Sequence, residues 1–187
     1  MRGILKAVGC VFLLAILFMF RVQGSNSDVD LSSFPDFLFN KDGELEDLAF
    51  IIGSSAKAEE VIGMIDIALM IYAEQLERTG SIKPIPSYFD TSWQRAKNLI
   101  IIGNPCNNAA AAAVSGYPKD CMDGLYPGEG KIKLIEHGSG NLAILIEGAT
   151  ALDTRRATLA LLYHKELGLK GKEAIISGAA VKEIVLE

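Results

Sequence analysis

Two short stretches constrain this chain more than anything else in it. "LAFIIG" (Leu48 to Gly53) and "NLIIIG" (Asn98 to Gly103) are unbroken apolar runs, each closed by a glycine and each followed by a helical pattern. An unbroken apolar strand has both faces buried, which happens in sheets covered by helices on either side. After the first run comes "SSAKAEEVIGMIDIALMIYAEQLERTG". Val61, Ile62, Ile65, Leu69 and Tyr72 recur there at helical spacing, Ser54 or Ser55 can cap the start, and Gly80 ends it. After the second comes "NNAAAAAVSG", a short helix of small side chains.

The rest of the chain continues the alternation. "KIKLIEHG" and "NLAILIEG" are strands meeting at residues 137–140, the pattern of a hairpin. "ALDTRRATLALLYHKELG" is a helix with Asp153 or Thr154 at its start and Gly168 at its end, and "KEAIISGAAVKEIVLE" supplies one or two closing strands. Residues 25–35 read as a polar linker, and "SIKPIPSYFD" as a connection. The expected fold is a single α/β domain over residues 25–187, a Rossmann-like three-layer domain with a mostly parallel sheet and helices on both faces.

Residues 1–24 are a separate object. Arg2 and Lys6 precede a 14-residue apolar stretch, Ala7 to Phe20, closed by Arg21. A spanning helix needs roughly 20 apolar residues and a signal-peptide core roughly 7–15. Val22 and Gly24 place small residues before a cut at Ser25. The segment therefore reads as a secretory signal peptide, with an uncleaved anchor as the alternative and the only membrane contact expected. An extracellular or cell-surface location follows.

Without that segment, 15 basic residues stand against 23 acidic ones, a net charge of −8. An acidic chain lacking any basic stripe is a poor partner for nucleic acid. Of three cysteines, Cys10 lies in the leader, leaving Cys106 and Cys121. In an exported chain such an even pair reads as one disulfide, the other reading being two free thiols.

The glycine turns invite a nucleotide-site reading, and the details oppose it. A dinucleotide loop uses three glycines; here Gly103 stands alone and Pro105 removes a backbone donor. There is no Gly-Lys-Ser/Thr and no Gly-x-Ser-x-Gly elbow. His137 reads as a solvated hairpin tip and His164 as part of an exposed helix face. Asp120 and Asp123 are too few for calcium. The remaining polar signal is Asp66 inside "VIGMIDIALMIY" and the "DTRRA" segment at Asp153 to Ala157. Asp66 is expected to be mostly buried and held by Arg155 or Arg156, with Asp153 as a second carboxylate of the set. The alternative is an anion site at this helix start, near the strand ends at Gly53, Gly103 and Gly148.

"AFIIGSSAKAEEVIGMIDIALMI", "LIIIGNPCNNAAAA" and "PGEGKIKLIEHGSGNLAILIEGATALDTRRA" together resemble archaeal S-layer proteins, as does "LKGKEAIISGAAVKEIVLE". The strongest part is Gly-x-Thr-x-x-Asp-Thr-Arg-Arg-Ala, Gly148 to Ala157, and the resemblance covers most of residues 48–187. It implies an exported structural module of the cell surface, neither an enzyme nor the holder of a cofactor or metal. Its implied partners are other cell-envelope proteins or further copies of itself. Family members are longer and carry domains where this chain has only residues 74–97.

Overall fold

The computed structural model describes residues 29–138, 140–178 and 185–186. The expected leader and its expected cleavage site lie outside the described residues. The two apolar runs are strands β1 (Leu48–Ile52) and β3 (Asn98–Ile102), with every residue buried. Around them stand β2 (Ser87–Phe89), β4 (Gly130–His137), β5 (Asn141–Gly148), β6 (Glu173–Ser177) and β7 (Val185–Leu186). The order is β2-β1-β3-β5-β4-β6-β7. β2, β1, β3 and β5 run parallel, in register through Phe50, Ile100 and Ile144. The hairpin sets β4 antiparallel to β5, β6 pairs antiparallel with β4, and β7 with β6. The sheet is therefore mixed, with five of its seven strands pointing one way.

Side chains alternate across the strands into two clusters. Phe50, Ile100, Ile102, Ile144 and Ile146 pack with Ile67 and Ile71 of α1 (Ala58–Thr79) and with Ala157, Ala160 and Leu161 of α3 (Ala151–Leu162). Ala49, Ile51, Leu99, Ile101, Ala143 and Leu145 pack with Ala110 and Ala111 of α2 (Ala109–Val114) and with Trp93. A one-turn helix α4 (His164–Leu167) follows α3 and ends at Gly168, whose φ of 64° suits a residue without Cβ.

Several local expectations are corrected. α1 begins at Ala58, past both serines; Ser54 N–H donates to Asp90, and Glu60 accepts from the Lys57 N–H at the helix start. α3 is capped by Thr150, with Asp153 in its first turn. Residues 29–35 are no linker: Leu31 and Phe34 enter the core with Leu38 and Phe39, and the Leu31 N–H donates to Gly171 O. Ser and Asp mask that apolar set, which follows no helical or strand period. "SIKPIPSYFD" contains β2, an edge strand starting just after Pro86, whose carbonyl accepts from Phe50 N–H.

The largest correction concerns α1. Its sheet-facing residues are Glu60, Gly63, Ile67, Ile71 and Gln75. Of the apolar set read at helical spacing, Val61, Ile62, Ile65 and Leu69 point to solvent and Tyr72 is half-buried. Apolar side chains surround most of this helix, so periodicity could not choose a face. Gly63 chooses it, because a Cβ there would stand 2.7 Å from Thr158 of α3, and only glycine lets the helices close to that distance.

Candidate functional site

In open α/β sheets, ligands sit beyond the C-terminal ends of the parallel strands, where helix N-termini offer free N–H groups. Here those ends carry Gly53, Gly103 and Gly148. The region is filled by the chain itself. Asp90, buried, accepts from Ser54 N–H at 3.2 Å and from Ala109 N–H, the first residue of α2, at 2.9 Å. Asn108 accepts from the Ala110 and Ala111 N–H groups and donates to Ile102 O at 2.9 Å. Asn104 bridges Gly148 O and Cys106 N–H. The backbone at Asn107 lies directly on the first glycine turn, since a Cβ on Gly53 would stand 2.3 Å from Asn107 O.

The donors that would hold a phosphate at these helix starts are thus taken by carboxylates and amides of the chain. Fixed acids at that position repel an incoming anion. Cys106 and Cys121 form a disulfide with Cα atoms 5.0 Å apart, tying the segment that fills the crevice to the loop after α2. Among the described residues, no group of three or more His, Cys, Asp or Glu side chains is placed to hold a metal ion.

The "DTRRA" segment engages both of its arginines. Arg155 bonds Asp66 and, at 3.0 Å, Thr158 Oγ1. Arg156 bonds Asp153 and Gly178 O. Asp153, at 3% exposure, also accepts from Gly128 N–H, Thr150 N–H and Thr150 Oγ1. α3 can start so deep because β4 and β5 carry paired glycines there: a Cβ on Gly148 would stand 2.5 Å from Thr154 N, and one on Gly130 2.5 Å from Asp153 O. Asp66 has the arginine partner expected of it, but not the sheet-packing position. It lies on the flank of α1 beside α3, away from the sheet face, with 30% of its side chain in solvent.

Both histidines differ from their expected settings. His164 is buried, its Nδ1 3.0 Å from Leu161 O and its ring edge-on to Phe34 with centroids 5.0 Å apart. His137 lies half-buried against Trp93. Burial holds both imidazoles below the usual histidine range, and for His164 the neighbouring Lys165 adds to the effect. A further ion pair, which sequence reasoning missed, joins Lys133 to buried Glu147 at 2.9 Å, across β4 and β5. Strand alternation puts both residues on one sheet face, but nothing in the sequence marks that face as covered.

Among the described residues, the outer face of α1 is an apolar surface without a role in holding the fold. Ile62 is 50% exposed, Ile65 47%, Leu69 60% and Leu76 52%, with Ala58 and Ala73 exposed on the same side. A helix covering a sheet ordinarily turns its polar residues outward. Here buried Glu60 and Gln75 face inward, with Gln75 bonded to the Lys83 backbone on both its amide atoms. No protein-family model and no curated protein matches this chain.

Proposed function

We propose that this chain is an exported, non-catalytic structural protein of a cell surface, S-layer-like, built on one Rossmann-like three-layer domain over residues 25–187. The observation that carries the reading is the self-filled strand-end crevice, locked by the Cys106–Cys121 disulfide. A crossing disulfide suits a compartment outside the reducing cytosol. A crevice plugged by Asp90, Asn107 and Asn108 gives a ligand no room, so the domain's work lies in its surfaces. The anion-binding alternative would use Arg155 and Arg156, and each of these is held by a carboxylate.

The test is fractionation of the native cells, followed by N-terminal sequencing and a non-reducing peptide map. The expected product starts at Ser25, sits in the envelope fraction and carries the Cys106–Cys121 bridge. A cytosolic protein with two free thiols would overturn the proposal. An intact Met1 on a membrane-bound product would replace the cleaved form by an anchored one.

A further inference from the structure

We infer that the outer face of α1 is where two copies of this chain meet, α1 against antiparallel α1. This goes beyond the surface-protein reading and does not depend on it. The exposed apolar residues Ala58, Ile62, Ile65, Leu69 and Leu76, with half-buried Tyr72 at the margin, follow the 4–3 alternation of a helix–helix seam over five turns. The complement of such a seam is a second seam of the same kind. Two-fold pairing of identical patches is also the commonest assembly of soluble proteins.

Size and charge agree with a second copy. α1 is about 33 Å long and a helix about 10 Å across; with α3 beside it, the outer face spans on the order of 500 Å². Leu152 on α3 and Tyr163 just past its end are also exposed. Two such faces bury roughly 1,000 Å², the lower bound for a specific interface. The seam from residue 58 to residue 76 has its midpoint at residue 67, one residue from Asp66. A two-fold axis there brings the Asp66–Arg155 pair of each copy beside that of the other, so every guanidinium faces two carboxylates. Antiparallel helices also oppose their macrodipoles. A lipid surface fits less well. Exposed Glu59 and Glu77 line one flank of the seam, and anionic headgroups repel them.

The test is sedimentation velocity on the full chain over a concentration range, with variants of the seam. The parent should dimerise with a Kd of about 10 µM or below. Leu69→Lys should weaken it about 30-fold or more, as loss of a central anchor does, while Phe89→Lys on the distant edge strand leaves it unchanged. Far-UV circular dichroism and melting at high dilution establish that the variants fold; Ile65→Lys carries the same test should Leu69→Lys not fold. On mild oxidation Leu69→Cys, on the seam and close to the two-fold axis, should link two copies, and Ile62→Cys, far from it, should not. A parent that stays monomeric to about 200 µM, some twentyfold above the expected Kd, overturns the inference. So does an unchanged Kd in both lysine variants, or equal cross-linking at residues 62 and 69. A monomeric parent that floats with neutral phosphatidylcholine vesicles overturns it in favour of a lipid surface.

Discussion

Asp66 and Asp153 look alike in the sequence, each an acid within reach of the same two arginines, and their surroundings separate them. Asp153 is almost wholly enclosed, holds Arg156, and accepts three further hydrogen bonds from Gly128 and Thr150. Asp66 holds Arg155 from the flank of a helix, where water reaches it. The two arginines are almost equally exposed, at 19% and 14% of their side chains, so the carboxylates make the difference: Asp66 is 30% exposed and Asp153 4%. Asp66→Ala should therefore cost about 0.5–1.5 kcal/mol, between an exposed ion pair and a bond to a charged group. Asp153→Ala should cost roughly 3–5 kcal/mol, because it removes the buried partner of Arg156, leaves the Gly128 and Thr150 donors without their acceptor, and undoes the cap of α3. Urea denaturation at neutral pH measures both. Equal costs would mean that Asp66 is as enclosed as its charge pattern suggested from sequence. The sequence announced that these four residues form a set; it held no information on depth, which depends on how closely α1 and α3 approach.

At the scale of the element, that approach is set by Gly63 against Thr158. Gly63→Ala should raise intrinsic helix propensity by at most about 1 kcal/mol. The added Cβ would meet both branches of Thr158 at 2.7 Å, and Thr158 is buried and bonded to Arg155 through its hydroxyl, so it has nowhere to turn. Overpacking of this kind costs about 1–3 kcal/mol, so the net effect should be a loss of about 1–2 kcal/mol. Gly63→Ala with Thr158→Ala should recover most of the loss that Gly63→Ala adds to the parent. Thermal melts of the parent, both single variants and the double variant check this, and a single Gly63→Ala that melts above the parent would refute the close contact. The same helix shows where sequence reading stopped. Its existence and its end at Gly80 were legible from period and glycine, and β1 and β3 from their unbroken apolar character. Which side of α1 faced the sheet was not legible, because an apolar stripe runs along both sides. The turn at residues 31–39 was hidden for a different reason: its apolar residues sit in 3-10 turns too short to impose a period. β2 was hidden because an edge strand of three residues, largely exposed, carries no apolar signature.

At the scale of the whole molecule, Gly53, Gly103 and Gly148 stand at the C-terminal ends of parallel strands β1, β3 and β5, the end where ligands sit in open α/β sheets. What fills the crevice comes from Asp90 and residues 104–108, remote in sequence from Gly53, so only the fold brings them together. The two histidines report on the fold as a unit in a similar way. His164 joins the 29–39 segment, through Phe34, to α3, through Leu161, and Glu74, Lys165 and Glu166 are the charges that act on it. His137 joins the β4–β5 hairpin to Trp93 on the α2 side of the sheet. Both are held neutral by burial, with folded pKa values below the ordinary value of about 6.5 that the unfolded chain retains. On acidification the unfolded chain therefore takes up protons first. Their contribution to stability is complete above about pH 7.5, declines as pH falls through about 6.5, and is gone once pH has passed below the folded values. The slope in this window should reach at most about 1.4 kcal/mol per pH unit for each imidazole. Melting temperature should accordingly be flat from about pH 7.5 to 8.5 and fall between about pH 6.5 and 5, above the range where carboxylates titrate. His164→Phe keeps an aromatic ring against Phe34 and cannot take a proton, so it should flatten part of that fall. If the parent is equally stable at pH 5 and pH 8, or if His164→Phe keeps the full slope, then His164 is not the neutral, enclosed ring that ties the N-terminal turns to α3.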